Sequence, residues 1–185
     1  PVYRGKSIVG FIKRSLNTPK KQAWSVLGDV TVKDGLFGPN TCKPSKKIGG
    51  TEGVYDAPSA WQSLYDNQRN PGQYVPNVVS ITLGTKNALA NISYNKKFLD
   101  GYQDVVLAFD NDEATQEQLL KKEPLGQDAA KEVCLSYPSF KSVLFPDEHE
   151  GTPIKDSNDL LKVDTVELYK NLMFRAKEYS HDAVI

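Results

Sequence analysis

The chain has 185 residues, with 23 Lys and Arg balancing 23 Asp and Glu, and two cysteines. That length suits one domain, or one domain with a small satellite. No apolar run approaches a membrane span or a signal peptide, so a soluble, cytoplasmic protein without a membrane partner is expected. Cys42 and Cys134 form no C-x-x-C pair, which excludes a zinc finger built from this chain and leaves two reduced packing residues. The neutral total hides an asymmetry. Residues 1–50 carry ten Lys and Arg against two acids, a net +8, and the remainder carries 13 against 21, a net −8. A basic front suits a polyanion and an acidic rear suits cations, although surface lysines on a small β subdomain would give the same count.

In chain order, Ser7 to Leu16 alternates as a strand, Asn17 to Lys20 reads as a turn, and Gln22 to Leu27 as a returning strand. Gly35, Gly38, Pro39 and Pro44 mark a linker-like passage, which places a boundary near residue 45. Lys46 to Thr51 is a strand weakened by Gly49 and Gly50, and a helix follows from Asp56 to Asn67 with Ala57, Ala60, Trp61 and Leu64 on one face. A loop runs from Gln68 to Asn77. Val78 to Leu83 and Asp104 to Phe109 are dense apolar runs of the kind found in buried parallel strands, with a helix from Asn87 to Leu99 between them. A helix centred on Ala129 to Cys134, a strand from Ser142 to Phe145 and a last helix from Thr165 to Tyr179 complete the pattern. Alternation of this kind predicts an α/β fold with a central parallel sheet flanked by helices, preceded by a small antiparallel β-rich basic subdomain, with ligands at the carboxyl ends of the strands.

Three acidic clusters fall at such ends: Glu52 in T-E-G-V-Y-D, Asp110 and Asp112 in F-D-N-D-E-A, and Asp156 in K-D-S-N-D. Residues i and i+2 of an extended chain share a face, so Asp110 and Asp112 can reach one cation. Asp112 also suits the cap of a following helix, and Asp156 by itself reads as a solvated acid. Glu52 lies between a strand end and Gly53, where a close approach of ligand is possible. Asp56 reads as a helix cap rather than a ligand. Carboxylates grouped in this way hold hard divalent cations such as Mg²⁺, which keep open positions for phosphate oxygens.

E-G-V-Y-D, F-D-N-D-E-A and K-D-S-N-D-L-L, in that order, resemble the three motifs of the Toprim domain. The stretch V-V-S-I-T-L-G-T-K-N-A-L-A-N, together with I-V-G-F-I-K-R-S-L and G-L-F-G ahead of it, is similar to the primase core of bacteriophage primase-helicases. The resemblance spans about Ile8 to Leu161. It implies a division into a basic subdomain (1–45), a Toprim catalytic domain (46–163) and a C-terminal helix with the start of a linker (164–185). It implies a DNA primase, a nucleotidyltransferase that makes short RNA primers on single-stranded DNA in DNA replication. Glu52, Asp110 and Asp112 would be catalytic, and these three with Asp156 would hold Mg²⁺ or Mn²⁺, two ions during catalysis. Lys13, Arg14, Lys20, Lys21 and Lys86 would contact nucleotide or DNA phosphates. Aromatics such as Trp24 could stack on bases, although Trp24 reads first as a core residue.

The partners implied are a single-stranded DNA template, nucleoside triphosphates, and the zinc-binding and helicase domains of a parent chain. Pro1 in place of methionine fits a fragment or processed product, and without G-x-x-x-x-G-K-S/T the chain is not itself the ATP-driven helicase. A Toprim nuclease and an inactive nucleic-acid-binding module are the alternatives. Two departures from the family pattern stand out: Thr115 to Leu125 reads as an insertion at the rim of the metal site, and Gly49-Gly50 replaces apolar residues and should bend or weaken its strand.

Overall fold

The computed structural model describes residues 1–18, 24–70, 72–112 and 125–179. Its first element is a three-stranded antiparallel sheet of β1 (Val2–Arg4), β2 (Ser7–Arg14) and β3 (Trp24–Gly28). The alternating pattern forms strands here with little burial: every residue of β3 is exposed. The sheet is tied to the rest of the molecule through Asp34, whose buried carboxylate accepts from the Arg4 Nε at 2.6 Å. Its carbonyl accepts from the side-chain amides of Asn91 and Asn95, both at 3.1 Å. Leu36 then joins the main core, and Phe37 bridges to Ser80.

The central sheet is built from β4 (Lys47–Thr51), β5 (Val78–Ser80), β6 (Asp104–Ala108) and β7 (Phe140–Ser142), all parallel, and from β10 (Lys177–Glu178), antiparallel at the edge. Its order is β10-β7-β6-β4-β5. A small hairpin, β8 (Glu148–His149) and β9 (Thr152–Pro153), projects after β7. The helices are α1 (Asp56–Asp66), α2 (Ala88–Tyr94), α3 (Lys96–Leu99), α4 (Gly126–Ser136), α5 (Ser157–Val163) and α6 (Thr165–Lys170).

The twofold period of β6 separates two cores. Val106 and Ala108 pack with Ala57, Ala60 and Leu64 of α1 and with Leu160 and Leu168 of α5 and α6. Val105, Leu107 and Phe109 pack on the other side with Ala88 and Ile92 of α2 and Ala129 and Val133 of α4. Burial of each large side chain contributes about 1.5–3 kcal/mol, enough to make this three-layer body the stable part of the fold. Among the described residues no helix is long and apolar enough to cross a membrane. Cys134 is buried, its thiol pushed up to about 12 by desolvation, and Cys42 is half-buried; both are free.

Several boundaries differ from the sequence reading. The strand read over Val78–Leu83 ends at Ser80: the Ile81 N–H still donates to Thr51 O at 3.0 Å, and the chain bends at Thr82 and Leu83. The helix read from Asn87 to Leu99 breaks at Asn95, whose side chain bonds the Asn91 and Asp34 carbonyls. The strand read over Ser142–Phe145 pairs instead at Phe140–Ser142. The last helix ends at Lys170 and gives way to a π-helical turn, Asn171–Arg175, before β10. β1, the hairpin and α5 were not anticipated. Gly49 and Gly50 do not disrupt β4, which pairs along its length with β6 and from Gly49 to Thr51 with β5, without a register shift.

Candidate metal centre

β4 and β6 are neighbours, and the chain leaves them in opposite directions, β4 toward β5 and β6 toward β7. Their carboxyl ends therefore flank a topological switch point, where open α/β sheets form a crevice. Glu52 follows β4 by one residue, and Asp110 and Asp112 follow β6. One carboxylate oxygen from each of the three lies within 4.8 Å of the others.

This group is poor in protein partners. Among the described residues, nothing donates a hydrogen bond to the buried Glu52 Oε2 or Asp110 Oδ1. Burial raises both acids, Glu52 to about 7 with help from Asp112, and Asp110 to about 9 with help from Glu52. Buried acceptors of one sign, unpaired and crowded, are costly without protons or a cation between them, and the all-oxygen donor set fits a hard divalent ion.

Asp56 does not cap α1. Tyr55 holds the cap position without a side-chain bond, while Asp56 is buried, its acid raised to about 7 first by burial and then by Asp156. Gly53 makes room for this: a Cβ there would stand 2.2 Å from Asp56 Oδ2. Asp156 lies outside the group of three. It caps α5, accepting the Asp159 N–H at 2.7 Å, and lines the same cleft.

Two further residues, Asn111 and Gly126, hold the centre in place. Asn111, between the two aspartates, donates its N–H to Lys155 O at 2.6 Å and its side-chain amide to Asp147 Oδ1 at 3.1 Å, which moors the Asp156 loop to the end of β6. Gly126 opens α4 directly against the centre, where a Cβ would meet Asp110 O at 2.3 Å and Glu52 Oε2 at 2.7 Å. The glycine after an acidic motif was a readable signal; the mooring role of Asn111 was not.

Glu52, Asp56, Asp110 and Asp156 open into a cleft of about 800 Å³ bordered by the small sheet. Arg14 lines it, as do Lys155 and Lys162, with Lys155 Nζ 3.8 Å from Asp112 Oδ1. Lys13 points to the other face of β2 and Lys86 is exposed on a short turn, Thr85–Asn87; neither borders the cleft. Lys20, Lys21 and most of the Thr115–Leu125 insertion lie outside the described residues. Trp24 is not a core residue: it is 42% exposed and sits at the cleft rim.

A mixed α/β body with its acids at a switch point defines a fold and a metal-binding geometry. Residues 51–149 match the Toprim-like family model, and the chain belongs to that family. The fold is also that of the primase fragment of the bacteriophage T7 primase-helicase protein, at TM-score 0.64 and 22% identity over 91% of this chain and 57% of that one. A second match belongs to a structure of the bacteriophage T7 lagging-strand DNA polymerase interacting with primase domains of two gp4 subunits bound to an RNA/DNA hybrid and dTTP. There the TM-score is 0.62 and the identity 23%, over 86% of this chain and 69% of that one. No curated protein matches in sequence.

Proposed function

We propose that the chain is the nucleotidyl-transfer core of a DNA primase, building short RNA on a single-stranded DNA template from nucleoside triphosphates. The observation that carries this reading is the group of Glu52, Asp110 and Asp112, two of whose oxygens are buried and unpartnered among the described residues, with Glu52 and Asp110 lining a cleft that Arg14 also lines. Primase domains with this fold are bound to an RNA/DNA hybrid and dTTP in the bacteriophage T7 assembly, which supports the same substrate class here.

Glu52, Asp110 and Asp112 would hold Mg²⁺ or Mn²⁺, with Asp156 facing the same site. Bound there, the cations would neutralise charge on the triphosphate and favour ionisation of the attacking hydroxyl. The chain's own residues do the rest. Glu52, at the end of β4 beside Asp110, is placed to take the proton of the 3′-hydroxyl as that oxygen bonds the α-phosphorus and pyrophosphate leaves. Arg14, Lys155 and Lys162 attract and orient phosphates across the cleft, and positioning supplies most of the catalysis in phosphoryl transfer. The division into a basic subdomain (1–45), a catalytic domain (46–163) and a C-terminal segment (164–185) belongs to this reading, as do zinc-binding and helicase partner domains. The test is incubation with Mg²⁺ or Mn²⁺, single-stranded DNA and labelled nucleoside triphosphates, beside an Asp110→Ala, Asp112→Ala variant. Template-dependent oligoribonucleotides lost in the variant are expected. Shortened DNA without nucleotides would replace this reading with a nuclease.

A further inference from the structure

The cleft has an aromatic corner that the metal chemistry does not use. Register pairs Arg14 of β2 with Trp24 of β3, so the two side chains leave the small sheet on the same face. That face, with Ile12 and Val26, is the one that borders the cleft. Tyr55 comes from the other side, three residues beyond Glu52 at the start of α1. The Trp24 and Tyr55 rings lie 5.4 Å apart between centroids at 52°, and the Arg14 guanidinium carbon sits 5.5 Å from one centroid and 5.1 Å from the other.

An aromatic pair that served only to cement the two parts would be buried. Trp24 is instead 42% and Tyr55 48% exposed, and the small sheet has its own anchors in Asp34 and Asn91. Part-exposed aromatic rings with a guanidinium over them suit a nucleobase and its phosphate, since every base has a π-face and the cation meets the backbone charge. The corner lines the same cleft as Glu52 and Asp110, so a base held there shares that cleft with the metal group.

We propose that Trp24, Tyr55 and Arg14 form a base-stacking subsite that holds a nucleobase beside the metal centre. The proposal rests on the nucleotidyl-transfer reading. The base belongs either to a strand or to a free nucleotide, and the two sources are separable by experiment.

The chain has two tryptophans. Trp61 stacks on Tyr65 along α1, outside the cleft lining, so a Trp61→Phe background leaves Trp24 as the only tryptophan. In that background, Trp24 fluorescence is titrated with a single-stranded oligothymidylate and, separately, with CTP and Ca²⁺. Quenching by the first assigns the subsite to a strand; quenching by the second assigns it to a nucleotide. Loss of one stacked base is worth about 1–3 kcal/mol, so Trp24→Ala and Tyr55→Ala should each weaken binding of the active ligand about five- to 150-fold by anisotropy of a labelled ligand, while Trp24→Phe retains most of it. A purely cementing role would lower the melting temperature of Trp24→Ala with affinity preserved in folded protein. Unchanged affinity in both alanine variants, binding without a change in Trp24 emission, or no binding by the parent protein overturns the subsite. The nucleotidyl-transfer reading fails separately: a protein that binds through Trp24 and Tyr55 but incorporates no nucleotide keeps the subsite and loses the reading.

Discussion

Replacing Gly126 by Ala tests the packing beneath the metal group. The added Cβ would lie 2.3 Å from Asp110 O, 2.9 Å from Asp110 N and 2.7 Å from Glu52 Oε2. Glu52 can swing aside, but the Asp110 backbone extends β6, which is paired with β4 and β7. Overpacking of this kind costs about 1–3 kcal/mol, and alanine's helix propensity returns at most about 1 kcal/mol, less in a first turn. A net loss of about 1–2 kcal/mol follows. In a chain of this size that lowers the melting temperature by roughly 2–8 °C. Because the displaced groups are proposed metal ligands, the rise in melting temperature on adding Mg²⁺ should shrink as well. Gly49→Ala is the control, since its Cβ would meet Val78 Cγ2, Asn77 O and Val78 Cγ1 at an ordinary 3.6–3.8 Å, and it should melt within about 2 °C of the parent. A Gly126→Ala protein that melts and responds to Mg²⁺ like the parent would refute the reasoning.

Three further outcomes are expected. Glu52 and Asp56 at about 7 and Asp110 at about 9 are all raised in the folded state, so their contribution to stability is full below about pH 4 and is lost as pH rises from there, through 7 for Glu52 and Asp56 and through 9 for Asp110. Thermal melts in EDTA should therefore fall across that window, and the gain from Mg²⁺ should grow; a gain that shrinks toward pH 8.5 contradicts the site. Lys155→Ala removes a cation 3.8 Å from Asp112, so Mg²⁺ binding should tighten by less than about fivefold while nucleotide affinity falls, both read by calorimetry. Asn111→Ala removes the side-chain bond to Asp147 and should cost about 0.5–1.5 kcal/mol in chemical denaturation.

The parts of the molecule readable from sequence are those where burial and period agree. The run from Asp104 to Phe109 had to be a strand covered on both faces, and the acid after it had to stand at a sheet edge. Burial outran the strands at their ends: Ile81 and Val143 are buried and each still donates one backbone bond to the neighbouring strand, but they lie beyond the last strand residues of β5 and β7, and Phe145 is buried further on. Trp24 failed the other way, because an aromatic in an alternating strand reads as core while β3 lies open to solvent along its whole length. Asp56 has the sequence of a cap, and only the missing side chain of Gly53 lets its carboxylate turn inward. The two glycines of β4 read in the sequence as a weak point. In place, Gly50 lies where a Cβ would come within 3.1 Å of Leu107 Cδ2, and Gly49 borders an apolar cavity of about 270 Å³ shared with Ala60 and Leu64, so the strand pairs normally and spends the missing volume on its neighbours.

Mn²⁺ binding followed by electron paramagnetic resonance is the most direct measurement of the metal centre. The parent protein should take up Mn²⁺ in competition with Mg²⁺, and an Asp110→Asn, Asp112→Asn variant that melts cooperatively should lose that uptake. Equal uptake by the two proteins, or none by the parent, would contradict a cation site at Glu52, Asp110 and Asp112.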